Sequence, residues 1–466
     1  MKSTFDPDNS YNGFSEKHAP SLFFYDLETS GLDSREDRIM QFAGQRTDMD
    51  LNEIGEPVNI LVKLADDTLP NPGAIMVTKI TPQQTLQDGI SEAEFAKYVA
   101  EEIFTPNTVA LGYNTVRFDD EFMRNLFWRT FHDSYEWQWK DGRSRWDLLD
   151  VVRITRVLRP EGINWPVTED GRATNRLELL TKLNNIEHEH AHDALADVYA
   201  TIAVARLIRE KQPQLFDYLF KMRDKKAVKS LINLENKKPF VYASGRYSSA
   251  NEKTTVAFPL TTSRNGNILV FDLRQNLDEL LKDEESKNKS FFPTVKELCF
   301  NKCPAVAPLA VLDKDDGWQK IGLERAVVEK NLQILLSHPE FAEQMREKYE
   351  NRPEFPPAKT PEAALYDGFL DDRDRTRCAA VRNATENQLA DFQPEFSDER
   401  LPELLIHYKG RNFPKSLTES ERTKWEEYRA NRLNEKAPKF LAELQAVADK
   451  DQFIAEELRL YYESLL

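Results

Sequence analysis

The sequence predicts an α/β chain of two or three domains whose N-terminal part is built on a mixed β-sheet. Three observations carry this. The chain has 466 residues, too many for one ordinary domain. Its apolar fraction is 40%, enough for real cores. Its first strand-like runs come in succession and then give way to alternating helix and strand, the order of a mixed sheet with helices packed on it.

The elements follow in order. Residues 1–14 are polar and read as a flexible tail without an apolar leader. The runs 22–27, 38–46 and 58–64 read as three strands. Ser91 and Glu94 form a capping box that opens a helix to about residue 104. A fourth strand is expected over 109–113 and a helix over 119–130, with Phe122, Leu126 and Phe127 on one side. A helix over 193–210 places Leu195, Val198, Tyr199, Ile202 and Ala205 on one face, with Asp193 as its cap. Beyond it, 240–247, 254–262, 267–273 and 305–312 read as short strands of a small β-barrel-like domain, followed by a helix over 323–336. Pro353, Pro356, Pro357 and Pro361 break the chain, and the remainder reads as a helical domain.

Bulk properties exclude several classes. No apolar run is long enough to span a membrane, and three cysteines suit a reducing cytoplasm. Cys299 and Cys303 lack a second pair that would make them a zinc site. The net charge of −16 argues against nucleic acid, yet between 206 and 246 eleven Lys/Arg stand against four Asp/Glu. That excess is either a solvated helix face or an electrostatic track for phosphates.

Three clusters carry chemistry. In Phe24-Tyr25-Asp26-Leu27-Glu28-Thr29, strand alternation points Asp26 and Glu28 the same way. Two adjacent carboxylates repel unless a cation sits between them, the alternative being two solvated acids. Asn114–Asp119 puts a carboxylate at a helix start, where Asp119 either serves the site or caps the helix, and Asp120 competes for the role. In His192-Asp193-Ala194-Leu195-Ala196-Asp197, five helical residues would separate His192 and Asp197 by about 140°. They converge only if His192 lies on the entering loop, where a histidine suits general-base work. His188, His190 and His192 as a metal cluster is the weaker alternative.

D-x-E on a first strand, an Asp after a later strand, and H-x4-D opening a helix together resemble the histidine-containing DEDD superfamily of 3′–5′ exonucleases. Arg145-Trp146-Asp147-Leu148-Leu149-Asp150, 158–166, 215–220, Asn301-Lys302-Cys303-Pro304 and Arg411-Asn412-Phe413-Pro414 resemble bacterial exonuclease I over nearly the whole chain. The resemblance implies a ribonuclease H-like exonuclease domain over 15–210, an SH3-like domain with associated helices over 211–353 and a C-terminal helical domain over 358–466. It implies degradation of single-stranded DNA to 5′-mononucleotides in DNA repair and recombination, and a monomer is expected because no heptad run suggests an obligate oligomer. It implies two Mg²⁺ ions, replaceable by Mn²⁺, on Asp26, Glu28, Asp119 and Asp197, with His192 as the base. Thr29, Arg145, Arg153 and Arg176 are the expected DNA contacts, the alternative for the three arginines being surface solvation. Phe118 and Trp128 are read as core in preference to stacking platforms. Arg159, Tyr218 and Arg325 are expected to bind the acidic C-terminal tail of single-stranded-DNA-binding protein. The competing readings are an RNA exonuclease, a proofreading subunit, and a silent DNA-binding adaptor on the same fold.

Overall fold

Strand β1, Ser21–Thr29, is the axis of the N-terminal sheet in this computed structural model, which describes residues 19–188, 193–282, 295–353 and 356–466. The expected tail over 1–14 lies outside the described residues. β2 (Ile39–Thr47), β3 (Glu53–Leu61), β4 (Thr108–Gly112) and β5 (Ser144–Asp147) complete a sheet of order β3-β2-β1-β4-β5. β1 runs antiparallel to β2 and parallel to β4, so it is interior. Its sequence explains that position. Leu22 and Phe24 feed the core on one face, and Phe23, Tyr25 and Leu27 feed the core on the other.

Among the described residues, the α-helices of the first half are α1 (Pro72–Thr78), α2 (Pro82–Asp88), α3 (Glu92–Tyr98), α4 (Asp119–Arg129), α5 (Leu148–Leu158), α6 (Leu177–Leu183), α7 (Ala194–Lys211), α8 (Pro213–Lys221) and α9 (Lys225–Leu231). Ser91 and Glu94 close the expected capping box on α3, which continues as a π turn over Val99–Ile103. α3 and α4 cover one face of the sheet through Phe95, Phe122, Leu126 and Phe127. α7 crosses β1 and β2 on the other face through Val198, Ile202 and Ala205.

The second sheet is wholly antiparallel, with order β10-β6-β7-β8-β9. Its strands are β6 (Phe240–Ala243), β7 (Thr254–Thr262), β8 (Ile268–Asp272), β9 (Val295–Leu298) and β10 (Ala305–Pro308). The expected strand over 305–312 stops at Pro308 and becomes a 3₁₀ turn, Leu309–Asp313. The expected run 240–247 also shortens, because Ser244 and Gly245 begin a turn. Gly266, at φ +71°, makes the β7–β8 turn possible.

Helices Asp372–Asn383, Leu401–Asn412, Glu419–Val447 and Gln452–Leu465 form the C-terminal part. The last two pack Leu433, Phe440, Leu458 and Tyr462 against Met40, Leu64, Leu69 and Ile75 of the first domain. Beside this apolar contact lies a buried ionic cluster. Arg411 Nη2 is 2.6 Å from Asp67 Oδ2 and also pairs with Glu362. Glu362 takes Arg38 at 3.1 Å, His407 Nδ1 at 3.0 Å and the Tyr428 hydroxyl at 2.9 Å. Arg432 reaches Asp67 at 3.4 Å and Glu36 at 2.8 Å. Burial raises the cost of each charge, and opposite neighbours hold Asp67 and Glu362 well below the usual carboxylate range. No helix of the described residues is long and apolar enough to cross a membrane.

Candidate active site

The alternation of β1 turns Asp26 and Glu28 to the Leu22–Phe24 face, beneath the start of α7. Asp193 caps α7 by accepting from the Leu195 and Ala196 amides at 3.1 Å, as its position in the sequence predicts. The cap fixes Asp197 in the first turn. Asp26, Glu28 and Asp197 thus converge, each offering a ligand atom, with all three atoms within 4.8 Å of one another. They come from two elements that are far apart in sequence.

The electrostatics of this group are those of a cation site. Burial pushes Glu28 up to about 9, and the charges of Asp26, Asp197 and Asp193 add to the shift. Asp26 is pushed well above its ordinary range by burial, then by Asp119, Asp197 and Asp193. Buried like charges are tolerated only as protonated acids or around a cation. An all-oxygen set suits hard divalent ions.

Asp119 is not among the close three. It nevertheless faces them. Its Oδ1 accepts from the Leu27 amide at 3.1 Å, which lays the carboxylate over the Asp26–Leu27 peptide. Asp119 does not cap α4, whose cap residue Phe118 makes no side-chain bond. Asp120 turns the opposite way, where the Tyr25 hydroxyl and Arg145 hold it. The geometry therefore separates the two acids that the sequence left level.

The expected general base, His192, lies outside the described residues, as does His190. His188 is described, and its Nε2 sits 2.6 Å from Asp197 Oδ1. A cleft of about 460 Å³ opens on the acids and is lined by Asn114, Arg153, Arg176 and Lys253 as well as Asp26 and Asp197.

The expected DNA contacts separate. Arg153 and Arg176 line the cleft, Arg153 held by Asp150 and Arg176 two-thirds exposed. Arg145 is corrected. It is buried, paired with Asp120 and bonded to the Asn301 carbonyl at 2.7 Å, so it joins the sheet to the second domain and is not open to a phosphate. The Thr29 hydroxyl donates to the Gly31 carbonyl at 2.7 Å, so in this conformation it has only a lone pair to offer. Trp128 is core, its indole N–H given to the Pro361 carbonyl. Phe118 is half-buried against Phe122.

The basic stretch is corrected in part. Arg206 and Arg209 are spent on the Met49–Glu53 turn, while Lys221, Lys225, Lys226 and Lys229 remain exposed. Arg159 pairs with Asp315 and Arg325 with Asp313, both at 3.2 Å, on one acidic turn. Tyr218 donates to the Val306 carbonyl on β10.

Sequence reasoning missed three residues. Asp147 accepts from the Leu149, Asn114 and Val116 amides and so ties β5 to the connection that presents Asp119. Leu32, 84% exposed, stands on the loop just past the acid pair. Gly31 beside it has no room for a Cβ, which would collide with the Asp37 carboxylate. An apolar residue after glycine in a polar loop was the available signal. Lys253 reaches the cleft from the second domain at φ +55°, a position that no local pattern marks.

Models of known families match three segments: an exonuclease domain over 23–205, an exonuclease I SH3-like domain over 223–351 and an exonuclease I C-terminal domain over 359–464. Exodeoxyribonuclease I of Haemophilus influenzae is 41% identical, covering 94% of this chain and 96% of that protein. Exodeoxyribonuclease I of Escherichia coli is 40% identical, covering 95% and 94%. The crystal structure of E. coli exonuclease I with a dA16 oligonucleotide superposes with a TM-score of 0.92 at 38% identity, over 96% of this chain and all of that one. A zinc-bound form of the E. coli enzyme with single-stranded DNA gives 0.91 at 38% identity, again over 96% and 100%. A structure of SSB and exonuclease I with an inhibitor gives 0.90 at 37% identity, with the same coverage.

Proposed function

The chain belongs to the exodeoxyribonuclease I family, and from that premise we propose that it hydrolyses single-stranded DNA from the 3′ end, releasing 5′-mononucleotides in DNA repair and recombination. The observation that carries this is the convergence of Asp26, Glu28 and Asp197 within 4.8 Å inside a family match that covers 94% of the chain. Asp26, Glu28, Asp119 and Asp197 would hold two Mg²⁺ ions, with Mn²⁺ as a substitute, because their four negative charges match two divalent cations. When bound, the ions supply positive charge at the scissile phosphate, where charge develops in the transition state.

The chain's own residues do the rest. His192, which precedes the Asp193 cap in the sequence, takes the proton of the attacking water. Water attacks the terminal phosphorus in line, and the bond to the penultimate 3′ oxygen breaks, so the released nucleotide keeps its 5′ phosphate. Arg153, Arg176 and Lys253 meet backbone phosphates along the cleft, and Leu32 gives the terminal base an apolar surface. Thr29 accepts from the terminal nucleotide. Working divisions at 15–210, 211–353 and 358–466 place the acids in the first domain and Lys253 in the second. A monomer and a reducing cytoplasm fit the three free thiols.

For the acidic tail of single-stranded-DNA-binding protein, the supporting feature is that Arg159 and Arg325 flank one turn, with Tyr218 bonded to the strand that leads into it. A tail carboxylate would compete with Asp313 and Asp315 for the two guanidinium groups.

The test is end-labelled single-stranded DNA, duplex DNA and RNA, each with Mg²⁺ and with EDTA. Single-stranded DNA should be shortened one nucleotide at a time, only with metal. Asp26→Ala should abolish cleavage and leave DNA binding intact. Digestion that survives chelation would refute the proposal.

A further inference from the structure

We propose that His188 is a positioning residue that orients Asp197 within the acid cluster. This rests on the reading of that cluster as the divalent-cation site. His188 closes a relay between two helices. Its Nε2 lies 2.6 Å from Asp197 Oδ1, and its Nδ1 lies 3.1 Å from Thr181 Oγ1. Thr181 is anchored in α6, where its hydroxyl also faces the Leu177 carbonyl at 3.0 Å. The His188 side chain is 3% exposed, so this arrangement is built into the interior.

The ring is not a ligand. A histidine nitrogen within reach of the other donors would make a fourth member of the close group, and His188 is not one. It bonds Asp197 without joining Asp26 and Glu28 in that group. A carboxylate accepts, so the Nε2 facing it carries the hydrogen. That donor does something the cluster lacks. The terminal torsion of an aspartate is broad, and among like-charged neighbours Asp197 is pushed to rotate away from them. The His188 N–H pins one oxygen, and the torsion with it. Carboxylates and imidazoles behind a metal ligand act this way generally, and their loss costs about 10–100-fold in metal affinity or activity.

The experiment is calorimetric titration of Mn²⁺ into the full chain without DNA, comparing the parent with His188→Ala, His188→Gln and Thr181→Val. The glutamine amide nitrogen can replace Nε2. His188→Ala should weaken Mn²⁺ binding about 10–100-fold. His188→Gln should recover most of the loss, and Thr181→Val should shift affinity in the same direction by less. Binding of single-stranded DNA in EDTA should be equal in all four, which reports that the fold is kept. The inference is overturned if His188→Ala binds Mn²⁺ like the parent, or if His188→Gln is as weak as His188→Ala. Should His188→Ala not fold, Thr181→Val decides, and parental affinity there overturns it. A parent chain that takes up no Mn²⁺ would sink the cluster reading and this inference together. A parent that binds beside an unaffected His188→Ala sinks only the inference.

Discussion

Glu28→Gln should stabilise the metal-free protein at alkaline pH while destroying its response to metal. In the folded chain burial first, and then Asp26, Asp197 and Asp193, push Glu28 from 4.5 up to about 9. The unfolded chain has no such environment and releases the proton near 4.5. A raised folded value means that the folded state holds the proton longer. The resulting stability is complete below about 4.5 and drains away as pH climbs toward 9. At pH 8 the drain spans about 3.5 pH units, at about 1.4 kcal/mol each, or about 5 kcal/mol. The cleft admits water, and relaxation returns part of this, so a gain of about 2 kcal/mol is expected for the neutral isostere. For a domain of this size that is a rise of about 4–8 °C in melting temperature. The assay is thermal melting in EDTA at pH 5 and pH 8, repeated with Mg²⁺. The parent should lose more than the variant between the two pH values, and Mg²⁺ should restore the parent alone. A variant that melts below the parent at pH 8 in EDTA would refute the reasoning, as would equal pH slopes.

His192→Ala should lower turnover by roughly 10²–10⁴-fold at unchanged DNA affinity; single-turnover kinetics showing under tenfold would give the proton to another group. Arg411→Ala strands Asp67 and Glu362 with less compensation and should cost about 3–5 kcal/mol in denaturant melts. Both acids are held low by their partners, so the stability they contribute is present above their unfolded values and lost as pH falls, and the variant should lose less on acidification. Arg176→Ala should raise KM for single-stranded DNA with kcat unchanged and reduce the salt dependence of binding by about one charge. Arg145→Ala should instead lower melting temperature, since it leaves Asp120 buried without its cation.

Where one side chain period governed an element, the sequence showed it. The alternation in 22–29 told which way Asp26 and Glu28 point, and the cap at Asp193 placed Asp197 correctly on its helix. Where polar residues occupy interior positions, the pattern failed. β5 carries the buried Arg145 and Asp147, and β9 carries the half-buried Lys296 and Glu297, so neither reads as a strand. β3 begins earlier than its apolar run because its first half faces solvent. Arg145 looked like a surface cation because nothing local reveals that Asp120 would neutralise it. Asp119 and Asp120 were level for the same reason: only the packing of α4 against β1 gives one to the Leu27 amide beside the acid pair and the other to Tyr25.

The arginine and carboxylate knot between the first domain and the C-terminal helices has a consequence for dissection. Arg38 sits at the foot of the loop that follows the two acids of β1, where its amide and carbonyl clasp Ser30. Half of the knot's counterions, Glu362 and Arg411 among them, arrive from beyond residue 360. A chain cut before that point would retain every proposed ligand yet leave Arg38 and Asp67 facing a torn, wet surface. Shortening this protein to a minimal nuclease would therefore require rewriting both residues as apolar ones, and a simple truncation should yield an aggregating product instead of a smaller enzyme.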